Sequence, residues 1–184
     1  MLILNGMPGI GKTQLALTYA KIWKDHYTSI FWLNAEDRYA LYFSLRVAVE
    51  HLKNQYTPYA QDDMQSLRII HYLSLHGLLN EEGELQPCQE SPGLLFRVIR
   101  KWFEKRSNHG WLLILDNVDD QNVLREFRID DFVRSHVSGK IIMTGRKPHP
   151  DVYDIRVERL KSQAALKILR KVGYLVESKS NGMS

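Results

Sequence analysis

Apolar positions in this chain fall into two kinds of run, separated by polar stretches. Leu2-Ile3-Leu4, Ile30-Phe31-Trp32-Leu33, Trp111-Leu112-Leu113-Ile114-Leu115 and Ile141-Ile142-Met143, leading into Thr144, are short and continuous. Such runs predict strands buried on both faces of a parallel sheet. Ile155 to Val157 reads as a short fifth strand. Elsewhere the spacing changes to three and four. Residues 12–24 place Leu15, Ala16, Tyr19, Ala20 and Trp23 on one helical face, and residues 37–52 do the same with Leu41, Leu45, Ala48, Val49 and Leu52. Leu95, Phe96, Ile99, Trp102 and Phe103 form a third stripe that runs to about residue 106, where Ser107-Asn108-His109-Gly110 closes the helix. Leu160 to Val172 reads as a last helix. Strands that alternate with helices predict an α/β layered fold around a parallel sheet.

The pattern weakens between Lys53 and Pro92, which holds three of the six prolines and the polar stretch Asn80 to Glu90. A helix is expected near residues 65–76, on Leu67, Ile70 and Leu73, and the rest as an insertion at the surface. One core domain is therefore expected over residues 1–175, with a variable insertion at about 53–92 and a polar tail at 176–184.

Composition narrows the function classes. At 184 residues and 44% hydrophobic, the chain can bury a core and is not expected to be disordered. No apolar run reaches the roughly 18 residues of a membrane span, and no signal peptide opens the chain, so no membrane partner is expected. The single cysteine, Cys88, excludes an intramolecular disulfide and fits a reducing, cytoplasmic setting. His71 and His76 are five apart, a poor spacing for one helical face, so a histidine metal site is not expected. The four tryptophans fall on apolar faces or strands and are expected in the core. Lysines and arginines exceed acids by 25 to 21, a net +4. Arg97, Arg100, Lys101, Lys105 and Arg106 gather on one predicted helix, but such runs are usually solvated faces, and nucleic acid is not the expected partner.

The sharpest chemical signal is Gly6-Met7-Pro8-Gly9-Ile10-Gly11-Lys12-Thr13, which fits the phosphate-binding P-loop pattern G-x-x-x-x-G-K-[ST]. The loop must curl so that successive backbone N–H groups aim at one phosphate, and glycine permits those angles. Lys12 supplies a point charge for the terminal phosphates, and the Thr13 hydroxyl can ligate Mg²⁺. The motif follows a strand and opens a helix, where free N–H groups favour an anion. Gly6, Pro8, Gly9, Ile10, Gly11, Lys12, Thr13 and Gln14 are therefore the candidate binding residues.

Asp116 closes the run Trp111 to Leu115, the form of a Walker B strand, whose carboxylate holds Mg²⁺. Taken alone, it also reads as a strand-end turn residue. Arg146 follows the strand Ile141 to Met143. It is placed to reach a γ-phosphate or, equally, to sit in a turn between Gly145 and Pro148.

These pieces occur together with Gln14-Leu15-Ala16, Phe31-Trp32-Leu33-Asn34-Ala35, Trp111 to Asp120, Gly139 to Arg146, and Val157-Glu158-Arg159-Leu160 with Ala164-Ala165-Leu166. In that combination the chain resembles the NB-ARC nucleotide-binding domain of STAND-class receptors, particularly the fungal NOD-like form. The resemblance covers most of the chain and leaves residues 53–92 unaligned. It implies a P-loop NTPase three-layer α/β/α sandwich with a five-stranded parallel sheet, the Arg146 strand lying between the P-loop strand and the Asp116 strand. It implies ADP or ATP with Mg²⁺ as cofactors, Thr13 and Asp116 at the metal, and Arg146 as the reader of the γ-phosphate. The implied function is a switch, closed with ADP and opened by exchange for ATP, with self-association in the full-length protein.

Three departures matter. Asn117 stands where many hydrolysing relatives carry a second acid, and an amide is no general base. Asp119 or Asp120 could position water instead, and hydrolysis is expected to be slow or absent. The segments that hold adenine and ribose in such domains, upstream and downstream of this core, are not in the sequence, so the chain is expected to be a fragment or a short gene product. The alternatives carried beside the switch are an AAA-like energy-transducing ATPase and a truncated interaction remnant that binds no nucleotide.

Overall fold

The structure, a computed structural model, describes residues 1–59, 62–86, 93–105, 107–134, 139–149 and 152–159. Five strands, β1 (Leu2–Asn5), β2 (Ile30–Asn34), β3 (Leu112–Asp116), β4 (Lys140–Gly145) and β5 (Tyr153–Arg156), form one sheet in the order β2-β3-β4-β1-β5. Every pairing is parallel. Six helices accompany them among the described residues: α1 (Lys12–Ile22), α2 (Arg38–Tyr56), α3 (Asp63–Leu73), α4 (Gly93–Phe103), α5 (Gln121–Glu126) and α6 (Ile129–Arg134). The fold is the expected α/β arrangement, a five-stranded all-parallel sheet flanked by helices, and β4 lies between β1 and β3.

The alternation along β3 shows how the layers form. Leu113 and Leu115 point into the larger core with α2, α4, α5 and α6, while Leu112 and Ile114 point to the opposite face with Ala16 and Ala20 of α1. A strand covered on both sides needs apolar residues throughout, so β3 is a continuous apolar run and all five of its residues are buried.

Several expectations need correction. The stripe on α1 is not buried as a stripe. Ala16 and Ala20 meet the sheet, while Leu15, Tyr19 and Trp23 are exposed. The two alanines let the helix backbone lie close to Leu112, Ile114 and Ile142, which turns the larger neighbours outward. Trp102 and Trp111 are in the core as expected, but Trp32 is half-buried and Trp23 exposed.

The described part of the segment after α2 is not all at the surface. Leu73, Leu75, Leu78 and Leu85 are all buried and belong to the main core. An isolated bridge joins Leu79 to Leu85, and α2 ties the loop down: Arg46 Nη2 donates to the Leu85 carbonyl at 2.9 Å and Lys53 Nζ to that of Gly83 at 2.7 Å. α3 itself ends at Leu73, short of residue 76, because Ser74 turns left-handed at φ 60°.

α4 likewise ends at Phe103 rather than about 106. The buried Asn108 side chain donates to the Trp102 carbonyl at 2.7 Å and holds the turn that follows. The basic run on this helix is largely the solvated face expected, with Arg97 and Lys101 exposed; Lys105, just past the helix end, is the partly covered exception. Arg100 pairs with Glu104 at 2.8 Å, and Lys105 donates to the Tyr72 carbonyl with its ammonium over the Tyr72 ring. Burial there holds Lys105 below the ordinary lysine range, against the pull of Tyr72.

α5 and α6 are elements the sequence pattern did not announce; they bury Val123, Leu124, Phe127, Ile129 and Phe132. Arg106, Cys88, the helix expected over 160–172 and the tail 176–184 lie outside the described residues. No helix among the described residues is long and apolar enough to cross a membrane.

Candidate functional site

Parallel register brings the chemistry to one edge of the sheet. Leu4 and Asn5 of β1 pair with Thr144 and Gly145 of β4, and Leu115 of β3 pairs with Met143. The loop after β1, the carboxylate ending β3 and the arginine after β4 therefore emerge side by side, at the carboxyl ends of the strands where open α/β sheets form their clefts.

A cavity of about 320 Å³ lies there. From the loop and helix α1 it is lined by Pro8, Gly9, Gly11, Lys12, Thr13 and Gln14, and from across the cleft by Asn117, Asp119, Gly145 and Arg146. Gly11 is the N-cap of α1 at φ 103°, a left-handed angle that favours glycine. Its conformation starts the helix with no side-chain cap. By contrast, Asp37 and Asp62 cap α2 and α3 by accepting the amides of Ala40 and Gln65. The first intrahelical bond of α1 runs from the Leu15 N–H to the Gly11 carbonyl. The amides of Lys12, Thr13 and Gln14 thus open toward the cavity with the positive end of the helix dipole behind them.

Lys12 stands beside these amides. Its ammonium donates to the carbonyls of Gly6 at 2.9 Å and Met7 at 3.0 Å, and a lysine has a third donor for an anion. Gly6 and Ile10 do not line the cavity. Gly6 contributes its carbonyl to Lys12, and the Ile10 amide closes a turn on the Met7 carbonyl at 3.4 Å.

Asp116, 6% exposed, does not itself line the cavity and is joined to it through Thr13. Its Oδ1 accepts from the Thr13 hydroxyl at 2.9 Å and from the Thr144 hydroxyl at 2.5 Å. A hydroxyl and a carboxylate in direct contact are a hard-oxygen pair suited to Mg²⁺, which takes few protein ligands and keeps waters and phosphate oxygens for the rest. Among the described residues, no group of three or more histidine, cysteine, aspartate or glutamate side chains could hold a metal without such help.

The two acids expected to position water have other partners. Asp119 accepts the Arg146 amide on Oδ1 at 2.8 Å and the Arg146 Nε on Oδ2 at 2.8 Å. Asp120 caps α5 by accepting the Asn122 amide at 2.9 Å and does not line the cavity.

Asn117 and Gly145 line the cavity without having been singled out as binding residues. Asn117 sits at φ 63°, in the left-handed region that asparagine tolerates better than most residues, and its amide donates to the Thr144 hydroxyl at 3.0 Å. A Cβ on Gly145 would lie 2.7 Å from the Val118 carbonyl oxygen, so no side chain fits between the end of β4 and the turn after β3. The available signal was a glycine at a strand end beside a candidate arginine.

Compared with models of known protein families and with curated proteins, the chain matches none.

Proposed function

We propose that the chain is a nucleotide-binding switch module of the NB-ARC type, taking ADP or ATP with Mg²⁺ in the cavity between the Gly6–Thr13 loop and the end of β4. The observation that carries this reading is convergence. The uncapped amides of α1, Lys12 and Arg146 all border one cavity, which Thr13 also lines with its hydroxyl bonded to Asp116, a pair of hard oxygens. The α1 amides and Lys12 would hold a diphosphate, Arg146 would meet a third phosphate, and Thr13 and Asp116 would hold Mg²⁺, which would neutralise phosphate charge. Regulated self-association of the full-length protein, in a cytoplasmic setting, belongs to the same reading.

Hydrolysis is slow or absent on this reading. Asn117 cannot take a proton from water, both Asp119 oxygens are engaged by Arg146, and Asp120 caps a helix outside the cavity.

The test is calorimetric titration of the wild-type chain with ADP, first with Mg²⁺ and then with a chelator, beside Asp116→Asn. The wild type is expected to lose about tenfold or more in affinity when Mg²⁺ is removed, on the scale of one lost charge-assisted contact. Asp116→Asn is expected to bind weakly under both conditions and to show little response to the metal. Equal affinities for wild type and variant, with the same response to Mg²⁺, would exclude a metal role for Asp116.

A further inference from the structure

The bond between Asp119 and Arg146 has a consequence for which nucleotide the cavity prefers. The two residues are 27 positions apart and come together because β3 and β4 are adjacent. Three links hold the turn after β3 against the end of β4. The Asn117 amide donates to the Thr144 hydroxyl at 3.0 Å, the Val118 amide to the Thr144 carbonyl at 2.7 Å, and the Asp119 carboxylate accepts from Arg146 twice. One of those contacts is to the arginine backbone and the other to its side chain, so the carboxylate is fixed relative to the strand as well as to the guanidinium.

We propose that Asp119 is a specificity-determining residue that biases the site toward the diphosphate. The inference rests on the nucleotide-binding reading given above. Asp119 lines the same cavity as Lys12 and Arg146. Its negative charge offsets the arginine charge nearest the place where a third phosphate extends. A diphosphate, held by the α1 amides and Lys12, lies farther from the pair and feels it less. ATP must therefore draw the guanidinium away from its carboxylate, or bind beside both, and either route lowers its affinity relative to ADP. Exchange toward ATP is resisted by a contact within the chain, and anything that separates the turn after β3 from β4 relieves that resistance.

Asp119→Asn separates charge from geometry. The amide oxygen still accepts the Arg146 backbone N–H, while the negative charge is gone. The experiment measures Kd for Mg-ADP and Mg-ATP by calorimetry on four proteins: wild type, Asp119→Asn, Arg146→Met and the double variant. Cooperative melting of each confirms that it is folded. Asp119→Asn is expected to raise the ATP-to-ADP affinity ratio about two- to fivefold, the range of a partly exposed ion pair. The double variant is expected to show no such rise over Arg146→Met alone, because Asp119 acts through the arginine. A rise that persists without Arg146 would overturn that mechanism. A ratio that is unchanged or falls in Asp119→Asn, with the wild type still binding both nucleotides, overturns the proposal and leaves the nucleotide reading intact. A wild type that binds neither nucleotide overturns both.

Discussion

Lys12→Ala is expected to abolish the thermal stabilisation that Mg-ADP or Mg-ATP gives the wild-type chain. On the proposed reading the cavity would hold its anion through two kinds of positive group, the backbone amides that open α1 and the Lys12 ammonium. The amides are fixed by the fold, whereas the ammonium can be removed. Its loss takes away the charge nearest the loop and leaves the carbonyls of Gly6 and Met7 without their lysine partner. A ligand present at 100 times its dissociation constant adds about 2.7 kcal/mol to stability. For a chain of this size, one kcal/mol moves Tm by roughly 2–4 °C, so the wild-type shift is expected at about 5–11 °C. The variant is expected to melt near the unliganded wild type, since alanine is a good residue for a first helical turn, and to shift by less than about 2 °C with the same nucleotide. Scanning fluorimetry reads both. Equal shifts in the two proteins would remove Lys12 from the site, and no shift in either would remove the site.

A large stability loss in the region after α2 is expected from Leu78→Ala. Leu78 is 1% exposed and packs in the main core with Leu73, Leu75 and Leu85. Truncating a buried leucine removes its transfer free energy and leaves a cavity, at a cost of about 2–5 kcal/mol. Leu67→Ala, on α3 of the same region, is the control: Leu67 is 57% exposed, and its truncation is expected to cost no more than about 0.5 kcal/mol. Urea unfolding of the two variants checks the contrast. Similar small losses for both would mean that this segment lies on the surface, as the sequence pattern alone implied.

That contrast shows where sequence reasoning stopped. The strands were legible because a sheet covered on both faces demands uninterrupted apolar runs, and β3 has one. The turn from Gly6 to Thr13 between β1 and α1 was legible because its signal is local: closely spaced glycines that permit a tight turn, directly before a helical stripe. The packing of Leu75, Leu78 and Leu85 was not legible, because they fall in a turn-rich stretch with neither helical nor strand period. Helices α5 and α6 are six residues each, too short for a stripe to repeat. On α1 the apolar face was visible, but side-chain size decided which part met the sheet, and the alanines won.

The site divides the same way. Its loop half could be read directly, and Asp116 and Arg146 could be nominated from strand ends. Their partners could not. The Thr144 hydroxyl on Asp116 and the Asp119 carboxylate on Arg146 depend on β4 lying beside β3, which is long-range information. Asp120 did carry a local sign of its other role, an aspartate just before a helical segment, where it accepts the Asn122 amide.

The most direct measurement is an amide NMR titration of the wild-type chain with Mg-ADP. A phosphate held by the loop must move the resonances of Gly9, Gly11, Lys12, Thr13 and Gln14, and those of Gly145 and Arg146 across the cavity, along one saturating curve. Amides at the far groove between β2 and α2, which Trp32, His51 and Trp102 line, are expected to stay in place. Saturating shifts gathered in that groove, or none anywhere at millimolar nucleotide, would contradict a phosphate site at the start of α1.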